Sequence, residues 1–227
     1  NVYVKVPVVN SKNKFSGKVI NELNSKNIKL NITAVYSAKQ TAKILKACKN
    51  KPVSFEVFGD NYKSMMQQAL TINTWGKNVY VKVPIVNSKN RFTGKVIKEL
   101  NSKNIKLNIT AVYTAKQTEK ILKKINKKTK VIISIFAGRA GDTGKDPVPE
   151  FVKSLKMAKK FKNVEILWAS VREPYNFVQA KQLGCHIITI PPSIIEKIQN
   201  FGKSFKELTV ETVKAFLVDS KKSRFKI

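Results

Sequence analysis

Eight short runs of β-branched and aromatic residues recur along the chain, and each is followed by apolar residues at helical spacing. The runs are Val2–Pro7, Leu30–Val35, Val53–Phe58, Val79–Pro84, Leu107–Val112, Val131–Phe136, Val164–Ser170 and Ile187–Ile190. After Pro84 come Phe92, Val96, Ile97 and Leu100, and after Val112 come Ala115, Ile121 and Leu122. The spacing predicts later helices over Phe151–Phe161, Tyr175–Leu183, Ser193–Phe201 and Val210–Val218. No tight hairpin turn joins any two runs, so parallel strands with helical crossovers are expected. Eight such units in 227 residues match a closed (β/α)8 barrel, a TIM barrel. An open doubly wound sheet is the alternative, but no Gly-rich phosphate fingerprint follows the first strand.

Two of the units occur twice. Asn1–Lys46 and Asn78–Lys123 are near copies shifted by 77 residues, with swaps such as Val8/Ile85, Lys14/Arg91 and Ala42/Glu119. A solenoid would repeat between neighbours; this pattern reads as a recent duplication or a chimeric join near Cys48–Pro52. The chain is therefore divided as one barrel domain over 1–227, with 1–50 the duplicated segment and 51–227 the remaining units.

Polar residues interrupt the apolar runs in a shared pattern. Lys82 stands inside Val79-Tyr80-Val81-Lys82-Val83-Pro84, and Glu56 inside Val53-Ser54-Phe55-Glu56-Val57-Phe58. Asn108 and Thr110 are two apart and share a face, as do Ser170 and Arg172. Ser134 interrupts Val131–Phe136. Burying an unpartnered ammonium is costly, and a desolvated lysine can attack a carbonyl to form a Schiff base. In a barrel, the C-terminal ends of the strands carry the active site. The loop Gly138-Arg139-Ala140-Gly141-Asp142-Thr143-Gly144 after the sixth run adds glycines for close backbone approach and an arginine suited to a phosphate.

Composition narrows the partners. A net charge of +30 favours anionic ligands. The lysines are spread over nearly every helix, arginines number four, and no aromatic–basic cluster for stacking bases is present. A phosphorylated small molecule is therefore preferred to specific nucleic-acid binding. No apolar run approaches the roughly 18 residues of a membrane span, and no signal peptide is visible, although the sequence does not begin with Met. The two cysteines, Cys48 and Cys185, form neither a disulfide framework nor a metal motif, so a reducing, cytoplasmic setting is expected. One histidine, His186, leaves little room for His-based triads or metal sites. No metal or cofactor is expected.

From Lys51 to about Asp219 the chain resembles the transaldolase family, in its small-subunit branch related to fructose-6-phosphate aldolase. The resemblance is carried by Val53-Ser54-Phe55-Glu56-Val57, Val79-Tyr80-Val81-Lys82-Val83-Pro84, Lys106-Leu107-Asn108-Ile109-Thr110, Ser134-Ile135-Phe136-Ala137-Gly138-Arg139, Trp168-Ala169-Ser170-Val171-Arg172 and Ile188-Thr189-Ile190-Pro191-Pro192. It implies a Schiff base between Lys82 and a ketose phosphate, with no cofactor. Thr110 and Glu56 would hold and orient a proton-shuttling water, and Asn108 would stand beside the lysine. Ser134 would bind a substrate hydroxyl, while Arg139, Ser170 and Arg172 would hold the phosphate. Phe136 replaces a tyrosine of the aldolase branch, which favours transaldolase. The implied partners are sugar phosphates and further copies of the chain.

The chain also departs from that family. The family's first strand carries Leu-Asp-Thr-Ala and its second ends in Thr-Thr-Asn-Pro; neither is present. Lys5, Asn31 and Thr33 of the duplicated segment stand there instead. The missing aspartate is the family's acid/base for carbon–carbon cleavage, so the resemblance implies Schiff-base formation with impaired turnover. A non-catalytic sugar-phosphate binder, a chimeric barrel and an aldolase-type lyase are the alternatives.

Overall fold

The β-branched runs form eight parallel strands in the computed structural model, which describes residues 2–7, 14–26, 29–33 and 38–223. The side chains of 2–5, 7, 29–33 and 38–40 lie outside that description. The strands are β1 Val2–Pro7, β2 Lys29–Thr33, β3 Val53–Glu56, β4 Val79–Pro84, β5 Leu107–Val112, β6 Val131–Phe136, β7 Val164–Ala169 and β8 Ile187–Ile190. The helices are α1 Gly17–Ser25, α2 Ala38–Cys48, α3 Tyr62–Asn73, α4 Gly94–Ser102, α5 Ala115–Leu122, α6 Ala137–Gly141, α7 Val148–Ala158, α8 Tyr175–Gln182, α9 Pro192–Ile198 and α10 Phe205–Ser223.

All strands belong to one sheet in the order β2-β1-β8-β7-β6-β5-β4-β3. This order runs around the chain without the reversal that defines a doubly wound sheet, which sets that alternative aside. Strands β3 to β8 form a curled wall, and β1 pairs in parallel with both β8 and β2. β2 lies near β3, but among the described residues no hydrogen-bonded ladder joins them.

Alternation along the strands divides the buried residues into two sets. Val79, Val81, Val83, Leu107, Ile109, Val131, Ile133 and Ile135 pack outward with Ile97, Leu100, Ile121 and Phe151 of the helices in the main core. Tyr80, Ile132, Leu167, Ala169 and Ile187 form a smaller cluster on the opposite face. The polar residues Lys82, Asn108 and Ser134 stand two residues beyond Tyr80, Lys106 and Ile132, on that inner face and nearer the strand ends. Capping boxes begin α3 at Asn61 and α5 at Thr114, satisfying exposed amide donors where the chain leaves β3 and β5.

Candidate active site at the strand ends

β3, β4, β5 and β6 bring four inward polar side chains together by register. Glu56 is paired with Lys82 and Lys82 with Asn108. The Lys82 ammonium donates to Glu56 Oε2 at 3.0 Å, with the lysine side chain 20% exposed. The buried charge is thus paired with a carboxylate on the neighbouring strand. Asn108 donates from Nδ2 to Ser54 Oγ at 3.0 Å and accepts at Oδ1 from Ser134 Oγ at 2.7 Å. Both ends of the amide are occupied, which fixes its orientation beside Lys82.

Just beyond Asn108 the backbone of β5 breaks register with β6 between Ile109 and Val112. Ala111 takes up a left-handed conformation, φ 58°, as in a bulge that redirects neighbouring side chains. Thr110 is buried, and its hydroxyl has no protein partner among the described residues. A buried hydroxyl without a partner is costly, and this one lines the cavity beside Lys82. That is where a substrate hydroxyl or a water would satisfy it.

The cavity, about 190 Å3, is lined by Lys82, Asn108, Thr110, Ser134, Phe136, Arg139, Ser170 and Arg172, together with Leu167, Ala169, Val171, Thr189 and Pro191. Eight of the sequence-predicted residues therefore meet on one wall, and Glu56 joins them through Lys82. Phe136 is half-buried at the rim, its ring 5.9 Å from that of Tyr113. Thr189, buried on β8, is a lining residue that the sequence reading did not single out. It interrupts Ile187–Ile190 as Ser134 interrupts β6, and that alternation was its signal.

The loops after β6 and β7 make the outer wall. A Cβ on Gly138 would fall 1.8 Å from the Ser170 carbonyl oxygen and 2.7 Å from Arg172 Cγ, so only glycine permits this approach. Ser170 is left-handed, φ 65°, a strained setting for a non-glycine residue. Outside lies a wider cleft of about 830 Å3, lined by Tyr113, Arg139, Asp142, Lys145, Asp146, Glu150 and Arg172 among others. Arg139 and Arg172 border both spaces. Lys5, Asn31 and Thr33 occupy register positions on β1 and β2, but their side chains lie outside the described residues.

The sequence profile of the Transaldolase/Fructose-6-phosphate aldolase family matches residues 41–227. The chain belongs to this family. Among relatives, a probable transaldolase of Nitrosopumilus maritimus is 30% identical over 174 residues, 70% of this chain and 73% of that protein. Probable transaldolase 2 of Listeria monocytogenes is 32% identical over 172 residues, 74% and 72% respectively. In fold, the chain is similar to a truncated 3-deoxy-D-arabino-heptulosonate 7-phosphate synthase from Thermotoga maritima. That match has a TM-score of 0.54 at 14% identity and covers 84% of this chain and 74% of that one. The family match begins at residue 41, so most of the first copy of the repeat stands outside it.

Other candidate groups have structural roles. His186 accepts at Nδ1 from the Ile166 amide at 3.0 Å, extending the edge between β7 and β8. Burial pushes the Cys48 thiol up to about 11 and that of Cys185 up to about 12, which keeps both protonated and unreactive near neutrality. Among the described residues no group of three or more His, Cys, Asp or Glu could hold a metal ion. No helix among them is long and apolar enough to cross a membrane.

Proposed function

We propose that the protein transfers a dihydroxyacetone unit between sugar phosphates through a Schiff base on Lys82. The observation that carries this reading is the Lys82–Glu56 pair at a cavity bordered by Arg139 and Arg172. Loss of a proton from Lys82 to Glu56 would free the amine to attack the C2 carbonyl of a ketose phosphate. Expulsion of water then gives an iminium ion, an electron sink that lets the bond between C3 and C4 break. Thr110 supplies an unpaired hydroxyl for the water that carries protons, and Ser134, oriented by Asn108, supplies one for the substrate. Arg139, Ser170 and Arg172 meet the phosphate. The apolar ring of Phe136 favours a transferase over a lyase, since a carbanion held for an acceptor must be shielded from protonation.

In this reading the barrel closes through β2 and β3, and the duplicated 1–50 segment stands in for the family's first two units. The first-strand aspartate is then missing, with Lys5 in its strand, and turnover is impaired. General acid–base assistance of that kind is commonly worth about 10²–10⁴-fold. The protein would act in the cytoplasm, as its protonated thiols and sugar-phosphate chemistry suit. It would do so as a homo-oligomer that covers the exposed Phe205, Leu208, Phe216 and Leu217 of α10.

Borohydride reduction in the presence of fructose 6-phosphate, followed by intact mass measurement, tests the Schiff base: a stable adduct is expected. Transfer to an aldose acceptor is expected to be slow. Absence of the adduct sinks the catalytic reading, and turnover near the typical enzyme median of about 10 s⁻¹ sinks the impairment.

A further inference from the structure

We infer that Asp142 is a positioning residue for Arg172, holding one edge of the guanidinium so that the other edge is presented to a phosphate monoester. The inference rests on the proposed reading that Arg172 faces the phosphate. Arg172 Nε donates to both Asp142 carboxylate oxygens, at 3.2 and 3.1 Å, and Nη2 donates to Oδ2 at 2.8 Å. These bonds saturate the Nε–Nη2 edge. Both Nη1 protons and the second Nη2 proton find no acceptor among the described residues, and they form the other fork, the one suited to two phosphate oxygens.

Arg172 is fixed at its other end as well. Its amide donates to Asn176 Oδ1 at 3.0 Å, and Asn176 is buried. Asp142 caps α6, its own amide donating to the Gly138 carbonyl at 2.8 Å. One end of the loop that carries Asp142 is thus Gly138, the residue whose missing Cβ lets β6 approach β7. The guanidinium also pulls the Asp142 carboxyl below the usual carboxylate range, so the pair stays ionised at neutral pH.

A half-exposed pair of this kind, 49% and 50%, adds little to stability, which leaves geometry as its main consequence. Two effects oppose each other if Asp142 is removed. One negative charge fewer beside Arg139 and Arg172 would strengthen attraction for a phosphate dianion, though screening in the open cleft weakens that gain. A guanidinium freed from its lock must pay for its own ordering on binding. The fixed bidentate geometry makes the second effect the larger.

Calorimetric Kd values for fructose 6-phosphate and inorganic phosphate, measured on the full chain, test this. Asp142→Ala is expected to weaken both about tenfold, the scale of a lost charge-assisted hydrogen bond. Asp142→Asn, which keeps one acceptor, is expected to recover part of the loss. Arg172→Gln weakens both ligands at least as much, and adding Asp142→Ala to it has no further effect, because the two residues act as one unit. Trapping of unphosphorylated dihydroxyacetone on Lys82 is expected to be unchanged by Asp142→Ala. Equal or tighter phosphate binding in Asp142→Ala overturns the inference in favour of a charge lock. Additive losses in the double variant, or no phosphate binding by the unmodified protein, overturn it too. If coupled losses of phosphate binding occur while no Lys82 adduct forms, the positioning role stands and the catalytic reading falls.

Discussion

The two copies of the repeat differ at six of 46 positions, and locally they fold alike. β1 and β4 begin and end 77 residues apart, as do α1 and α4. Gly17 and Gly94 each underlie the ring of the phenylalanine two residues before them, and Ser16 and Thr93 start their helices with nearly the same dihedrals. The surroundings differ. Lys82 has Asn108 beside it on β5 and Glu56 on β3. Lys5 has Asn31, the copy of Asn108, beside it on β2, but β1's other neighbour is β8, whose ladder partners are Ile188, Thr189 and Ile190. Among these described ladder partners none is a carboxylate. The two lysines therefore differ in the strand on one side, which the repeat does not copy.

The largest expected effect separates the two lysines. Lys82→Met is predicted to reduce sugar-phosphate trapping by on the order of 10³-fold or more, as loss of a nucleophile does elsewhere. Lys5→Met should leave it within about twofold. Equal losses, read by intact mass after borohydride reduction, would break the comparison.

Next in size is the neighbour itself. Glu56→Gln keeps the shape and removes the proton acceptor, so adduct formation should slow by about 10²–10⁴-fold in a time-resolved trapping assay. An unchanged rate would mean that the β3 neighbour does not distinguish Lys82.

A third variant probes the outer wall, which has no counterpart in the first copy. Gly138→Ala must displace the Ser170 carbonyl or Arg172, at a cost of about 1–3 kcal/mol for overpacking, seen as a lower urea midpoint. Phosphate affinity should fall with it.

The smallest effect is alkaline. Burial holds Cys48 up to about 11 and Cys185 and Tyr80 up to about 12, with Glu165 adding to Tyr80, against ordinary values of 9.0 and 10.0. Above the ordinary values the unfolded chain ionises while the folded one stays protonated, so stability falls as pH rises. Thermal midpoints should be level with respect to these groups up to about pH 9 and decline from there toward 12. Cys48→Ala, at the end of the first copy, should soften the early part of the decline.

Much of this was legible in sequence. β-branched runs with following helices gave all eight strands, since burial on both faces leaves a near-continuous apolar signature. Boundaries were less legible: β3 ends at Glu56 rather than Phe58, and β2 includes Lys29, with residues 34 and 35 of the expected run outside the described residues. α10 begins five residues before the expected Val210. Ser204 and Glu207 exchange hydrogen bonds at its start, a capping box that sets the helix start ahead of its apolar spacing. Polar interruptions at alternating positions pointed to Lys82, Glu56, Asn108, Thr110 and Ser134. In sequence Asp142 is one residue of a glycine-rich loop; its partner lies 30 residues away on another loop, and no local pattern encodes such a meeting.

The central claim is that Lys82, and not its twin Lys5, carries the covalent chemistry. It is tested most directly by borohydride reduction with fructose 6-phosphate, proteolysis and mass mapping of the modified lysine. The account predicts the label on the peptide containing Lys82 and none on the peptide containing Lys5. Label on Lys5, or equal label on both, would contradict it.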